Sequence, residues 1–352
     1  MILRRVTLAF AFVATAGIAC GKDRSAPAAR TAAPATSTSA GSASVGPKGT
    51  VTTRTFHSAA LGVDKDYVVY LPAGYDAQST TRWPVLYYLH GLGGNETNWV
   101  KHGKLAETAD AIALAAIVVM PDGDDGFYAD SPRALDYDAC MKDGTGLLVA
   151  LQPHAKTCVR HHAYETYIVK DLIDDVDATY RTLASRDGRG IAGMSMGGFG
   201  ALELAMRHLD RFAAAASHSG VDSIMYGGPH PYAADKVALM TDTKELDRIK
   251  MPGVADWLRG IFTTDLATWR SYDPATLADK LAPGALALYL DCGTDDGLQL
   301  DDSAKYLHDV LTAHHLEHEF FLGPGGHDFA FWAPRLPFSL RFLAAHVAKP
   351  HA

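Results

Sequence analysis

The chain has 352 residues, a hydrophobic fraction of 48% and a formal charge of −8. That length suits one large α/β domain with a leader, and the apolar fraction is enough for a sizeable core. The negative balance, with no long Lys/Arg run, argues against a nucleic-acid partner, because nothing is available to neutralise phosphates.

At the N-terminus, Arg4 and Arg5 form a positive n-region, and Val6 to Ala19 an apolar h-region too short to span a bilayer comfortably. Residues 1–20 therefore read as a signal peptide. Its end, Gly17-Ile18-Ala19-Cys20, sets small residues directly before a cysteine, as in a bacterial lipobox. Lipidation of Cys20 would make an exported, membrane-anchored lipoprotein. Ordinary cleavage near Ala19 would give a periplasmic or secreted protein. Residues 21–50 are rich in Ala, Ser, Thr, Pro and Gly and cannot bury a core, so a disordered tether is expected there.

The main folded domain is expected over 51–348. Apolar runs predict strands at Val51 to Phe56, Tyr67 to Leu71, Val85 to Leu89, Ala116 to Met120, Ile191 to Gly193, Ala213 to Ser217, Ala285 to Asp291 and Glu319 to Leu322. Helical patterns fall at Leu105 to Leu114, Tyr164 to Tyr180, Phe199 to Arg207, Ser303 to His314 and Phe331 to His346. Strands alternating with helices imply a mostly parallel sheet covered on both faces. Two inserts, 129–163 and 221–274, stand outside that pattern. The second is either a cap over the site or a peripheral helical decoration.

Cys140 and Cys158 both lie in the first insert and can pair in an oxidising compartment, whereas Cys292 sits in an apolar strand and reads as a buried, inert thiol. The cysteine spacing fits no zinc motif, and no H-E-x-x-H run occurs among the sixteen histidines. Neither a metal nor a cofactor is expected. His161-His162, His314-His315 and the other histidines, His327 apart, read as surface residues.

Gly193-Met194-Ser195-Met196-Gly197 is a G-x-S-x-G run between a strand and a helix, the setting of a nucleophile elbow. A serine there needs a base, and the chain order Ser, acid, His points downstream. His327, on a glycine-rich loop after the last strand, is the expected base. In the preceding loop Asp296 is favoured over Asp295 as the orienting carboxylate, and Asp291 lies back on the strand. The oxyanion hole needs two backbone donors: Met196 after the nucleophile, and Leu92 in His90-Gly91-Leu92-Gly93-Gly94.

Together with Met120-Pro121-Asp122-Gly123 and Ser217-His218-Ser219-Gly220, these stretches resemble the esterase D family of α/β-hydrolases. That family includes S-formylglutathione hydrolases, feruloyl and carbohydrate esterases, and mycolyltransferases. The resemblance covers most of 51–346. It implies an α/β-hydrolase fold, a Ser195–Asp296–His327 triad, and Leu92 and Met196 as oxyanion donors. Tyr128, just after Pro121-Asp122-Gly123, is a candidate substrate-binding residue or else a structural tyrosine. The leader favours an extracellular ester, with short acyl, feruloyl and carbohydrate-linked esters as the expected classes. An acyltransferase, or a thioesterase like S-formylglutathione hydrolase, would use the same triad. A non-catalytic surface binding protein is disfavoured because every triad position is filled.

Overall fold

The computed structural model describes residues 47–144 and 152–352. The leader, Cys20 and nearly all of the tether lie outside the described residues. Eight strands form one sheet: β1 Thr50–Ser58, β2 Val63–Leu71, β3 Val85–Leu89, β4 Ile117–Pro121, β5 Arg189–Met194, β6 Ala214–His218, β7 Ala287–Gly293 and β8 His318–Gly323. Their order is β1-β2-β4-β3-β5-β6-β7-β8. β1 and β2 pair antiparallel, as do β2 and β4, and every other pairing is parallel. This is the mostly parallel, helix-flanked sheet of an α/β-hydrolase.

Burial gives the central strands their continuous apolar runs. Every residue of β3, β4, β5 and β6 is buried, as expected where helices cover both faces. The edge strands β1 and β8 mix exposed and buried positions. β2 begins at Val63 rather than Tyr67, because its backbone pairs with β1 from Ser58 opposite Val63 onward. The charged stretch Asp64-Lys65-Asp66 hides that extension from a search for apolar runs.

Side chains alternate across the sheet. Val85, Tyr87 and Leu89 of β3 join one apolar layer, and Leu86 and Tyr88 the other. The first layer contains side chains of α3 (Met196–Arg207) and α6 (Leu300–Ala313). The second contains those of α1 (Leu105–Ala111) and α7 (Phe329–His346). The helix expected over 164–180 is interrupted by a π-helical stretch, Tyr167–Leu172, before α2 (Ile173–Thr179).

In the first insert Cys140 and Cys158 are joined, with Cα atoms 5.8 Å apart. The second insert carries α4 (Val254–Phe262) and α5 (Leu266–Tyr272). Phe262, Trp269 and Tyr272 are buried, and the Phe262 ring packs against Phe127 and Phe199. The insert is thus fastened to α3 by aromatic burial, each side chain contributing on the order of 1.5–3 kcal/mol.

Candidate active site

The chain turns sharply from β5 into α3 at Ser195, whose backbone sits at φ 55° and ψ −119°. Such a conformation costs a non-glycine residue on the order of 1–3 kcal/mol and persists only when its surroundings hold it. Here the Ser195 N–H donates to the His218 carbonyl at 2.9 Å, and the Ser195 carbonyl accepts the Phe199 N–H at 3.1 Å. Glycine at 197 is required by close approach: a Cβ there would lie 2.6 Å from the carbonyl oxygens of both Leu89 and His90.

His327 and Asp296 meet the serine from two other loops. His327 Nε2 is 2.9 Å from Ser195 Oγ, and His327 Nδ1 is 2.7 Å from Asp296 Oδ2. The loops are laced together by Thr294 N–H to Gly323 O and Asp295 N–H to Gly325 O, both 2.9 Å. The Asp296 side chain is fully buried and also accepts the Leu298 N–H at 2.8 Å. A carboxylate on Nδ1 keeps the proton there and leaves the Nε2 lone pair facing the serine hydroxyl. Asp295, one residue earlier, is exposed.

The loop after β3 lies against the serine. A Cβ on Gly91 would come 3.2 Å from Ser195 Cβ. The Gly91 carbonyl accepts from Gly94 N–H at 3.0 Å and from His90 Nδ1 at 2.8 Å. Because a trans peptide is planar, fixing that carbonyl also fixes the Leu92 N–H on the opposite side. Neither the Leu92 nor the Met196 N–H has an acceptor among the described residues. Two backbone donors are therefore left on the segments that meet Ser195.

Of the two readings of Tyr128, the structural one fits its surroundings. The residue is fully buried, its ring packs on Gly123 and Gly200, and its hydroxyl donates to the His90 carbonyl at 3.0 Å. It supports the loop from behind and offers no face to a ligand. Beneath it lies a network that the sequence did not reveal. Buried Lys65 Nζ donates to Asp122 (3.0 Å), Asp124 (2.9 Å) and the Lys156 carbonyl (2.8 Å). Burial by itself raises a carboxyl pKa. At Asp122 the Lys65 ammonium and His90 outweigh burial and hold it below the usual range. Asp124, buried and beside the Asp122 charge, is pushed up to about 7.

Of the histidines expected at the surface, His161, His314 and His315 are exposed, whereas His90 and His218 are buried. His162 is buried as well. Its Nδ1 lies 3.2 Å from the Ala129 carbonyl, and desolvation lowers its pKa to about 4. Cys292 is buried as expected; burial, and then the Asp296 charge, push its thiol far up. His230, Asp301 and Asp302 bring candidate metal-ligand atoms within 4.8 Å of one another. His230 and Asp302 already pair with each other at 2.8 Å, Asp302 also accepts the Tyr232 N–H at 2.7 Å, and Asp301 pairs with Lys305 at 2.6 Å.

The Esterase family model matches residues 58–343. The chain belongs to the Esterase family. It is 32% identical over 169 residues to Esterase Rv1288 of Mycobacterium tuberculosis, a match covering 48% of this chain and 32% of that protein. The chain thus spans about a third of the length of that relative. Solved structures share the fold, and two illustrate it. One is FphF, a fluorophosphonate-binding serine hydrolase of Staphylococcus aureus, with TM-score 0.63 and 22% identity, covering 84% of this chain and 99% of that one. The other is a ferulic acid esterase, with TM-score 0.58 and 23% identity, covering 84% and 99%.

In this member of the Esterase family a cavity of about 290 Å³ adjoins the loop after β3. Gly93, Asp125, Arg133, His162 and Trp257 are among its lining residues. Asp125 Oδ1 accepts the Gly93 N–H at 2.7 Å and the Asp125 carbonyl accepts the Trp257 indole N–H at 2.8 Å, so the second insert is tied to the loop after β3 through one residue. The Arg133 guanidinium lies 4.9 Å above the Trp257 ring.

Proposed function

We propose that this chain is a serine carboxylic-ester hydrolase acting through an acyl-enzyme. The observation that carries the reading is the continuous hydrogen-bonded order Ser195–His327–Asp296, at 2.9 and 2.7 Å, beside two unengaged backbone donors. Ser195 Oγ attacks the acyl carbon while His327 Nε2 takes its proton. The carbonyl oxygen becomes an oxyanion held by the Leu92 and Met196 N–H groups. His327 then protonates the leaving alcohol, and a water activated by His327 releases the acid. Asp296 keeps the imidazole in the required tautomer and stabilises its charged form.

The substrates we favour are short acyl, feruloyl or carbohydrate-linked esters. Support comes from the cavity beside the oxyanion loop, with its indole and guanidinium, and from the ferulic acid esterase that shares the fold. The site is proposed to work outside the cytoplasm, on a domain tethered through lipidated Cys20 by residues 21–50. A flexible linker of that length has an r.m.s. span of roughly 30 Å.

The test is labelling by a fluorophosphonate probe, followed by turnover of a panel of acetyl, feruloyl and acetyl-sugar esters with and without added acceptor alcohols. Wild-type labelling that is lost in Ser195→Ala, with turnover down by a factor on the order of 10⁴ to 10⁶, is the expected result. Labelling at another residue, or unchanged turnover in Ser195→Ala, would refute the mechanism. Transfer of the acyl group to added alcohols in preference to water would replace hydrolase with acyltransferase. For the tether, Cys20→Ser should release the protein from membranes with its activity intact.

A further inference from the structure

A second Ser–His–Asp hydrogen-bonded order lies beneath the nucleophile. His218, the last residue of β6, directs Nδ1 at both oxygens of Asp291 (2.9 and 3.0 Å) and Nε2 at Ser339 Oγ in α7 (2.7 Å). The Ser339 hydroxyl shares a hydrogen bond with Tyr88 OH at 3.0 Å. Asp291 also accepts from Tyr289 OH (2.7 Å) and Arg335 Nε (3.1 Å). His218, Asp291 and Ser339 are each 0% exposed, so no substrate reaches them.

A buried polar chain of this kind is costly unless every member is paired, and here each is. An apolar packing of the same volume would serve stability as well. What the polar chain adds is direction, because an imidazole clamped at both nitrogens holds its own backbone in place. That backbone supplies the carbonyl that accepts the Ser195 N–H at 2.9 Å. The next residue, Ser219, has φ 45°, and its N–H donates to the Asp291 carbonyl at 2.7 Å. Ser219 Oγ accepts the Trp332 indole N–H at 3.1 Å, and the Trp332 ring packs edge-on against His327, with centroids 4.9 Å apart.

We propose that His218, Asp291 and Ser339 are positioning residues, a sealed network that holds the Ser195 backbone in its strained turn and, through Ser219 and Trp332, the ring of His327. The inference rests on the reading of Ser195 as nucleophile. Acylation needs its reacting atoms held closely, and a displacement of about 1 Å costs on the order of 100-fold. Loosening the network should therefore lower kcat and leave KM nearly untouched, since none of the three residues meets substrate.

The experiment compares wild type, Ser339→Ala, Ser339→Thr and a packing control, Leu311→Ala, a buried residue of α6 outside the network. Each is titrated with a fluorophosphonate, so that kcat is expressed per reactive site, and each is melted. Ser339→Ala should lose about 10- to 100-fold in kcat with KM within about twofold. Ser339→Thr, which keeps the hydroxyl, should recover most of that loss. Leu311→Ala should lower Tm with kcat per site unchanged. A wild-type kcat in Ser339→Ala, or an equal kcat loss in Leu311→Ala, would overturn the proposal. Should Ser339→Ala not fold, Tyr88→Phe removes only the hydroxyl that braces Ser339 and is judged by the same criterion. Absence of labelling in wild type would instead remove the nucleophile reading, and the inference with it.

Discussion

His327 Nδ1 meets Asp296 Oδ2 at 2.7 Å, while the neighbouring Asp295 turns its carboxylate toward the Gly325 N–H at 3.3 Å. The backbone of Asp295 decides which acid faces the histidine. Its N–H is spent on the Gly325 carbonyl, which leaves residue 295 on the rim and turns residue 296 inward. Only the inner carboxylate can set the imidazole tautomer. Asp296→Asn should therefore cut turnover of an aryl ester by a factor on the order of 10⁴. Asp295→Asn should stay within about tenfold of wild type, and a larger loss there would reverse the assignment.

Gly197 offers a test of close packing at the elbow. With a Cβ 2.6 Å from two main-chain oxygens of the β3 loop, Gly197→Ala must push α3 away from the residues that carry the Leu92 N–H. The Leu92 and Met196 N–H groups, the proposed oxyanion donors, would then separate. A fall in kcat on the order of 100-fold is expected, with a lowered Tm from overpacking of about 1–3 kcal/mol. Steady-state kinetics and a thermal melt read both effects, and wild-type kinetics in this variant would show that the loop yields freely.

The local parts of this site were legible because local rules write them. An apolar run made β3 readable to the residue, and a glycine-flanked serine between strand and helix marked the elbow. The order of acid and histidine along the chain then located Asp296 and His327. The supports were not legible, because they join distant positions. His218 meets Ser339 across 121 residues, and Lys65 reaches Asp122 across 57. Lys65 lies in a stretch of alternating charge that reads as solvated, and only the folded sheet shows that it is buried. For Tyr128 the sequence left a pocket residue and a structural tyrosine both open, and its buried ring, on a left-handed backbone at φ 53°, fits the structural reading.

Lys65 holds two buried carboxyls, so removing it should be costly. In Lys65→Met the Asp122 charge loses its ammonium while staying buried, which costs about 3–5 kcal/mol. Urea unfolding should show this as a lower midpoint with little change in slope. Adding Asp122→Asn and Asp124→Asn to Lys65→Met removes the uncompensated charges and should restore a large part of the loss. If the triple variant is no more stable than Lys65→Met alone, charge pairing is not the reason Lys65 is needed.

His162 gives the fold a specific weakness to acid. In the unfolded chain a histidine titrates near 6.5, whereas desolvation lowers folded His162 to about 4. Between those pH values the unfolded chain takes up a proton that the folded one refuses. The contribution of His162 is therefore complete above about pH 6.5 and is lost as pH falls toward 4, a change of roughly 3 kcal/mol over the whole window. His162→Asn keeps a donor for the Ala129 carbonyl but cannot titrate. The variant should be less stable than wild type at pH 7.5, and the gap should close as pH is lowered to 4.5, because only wild type loses this term. Urea midpoints at the two pH values measure the gap directly, and a gap of equal size at both would mean that His162 does not change protonation across that range.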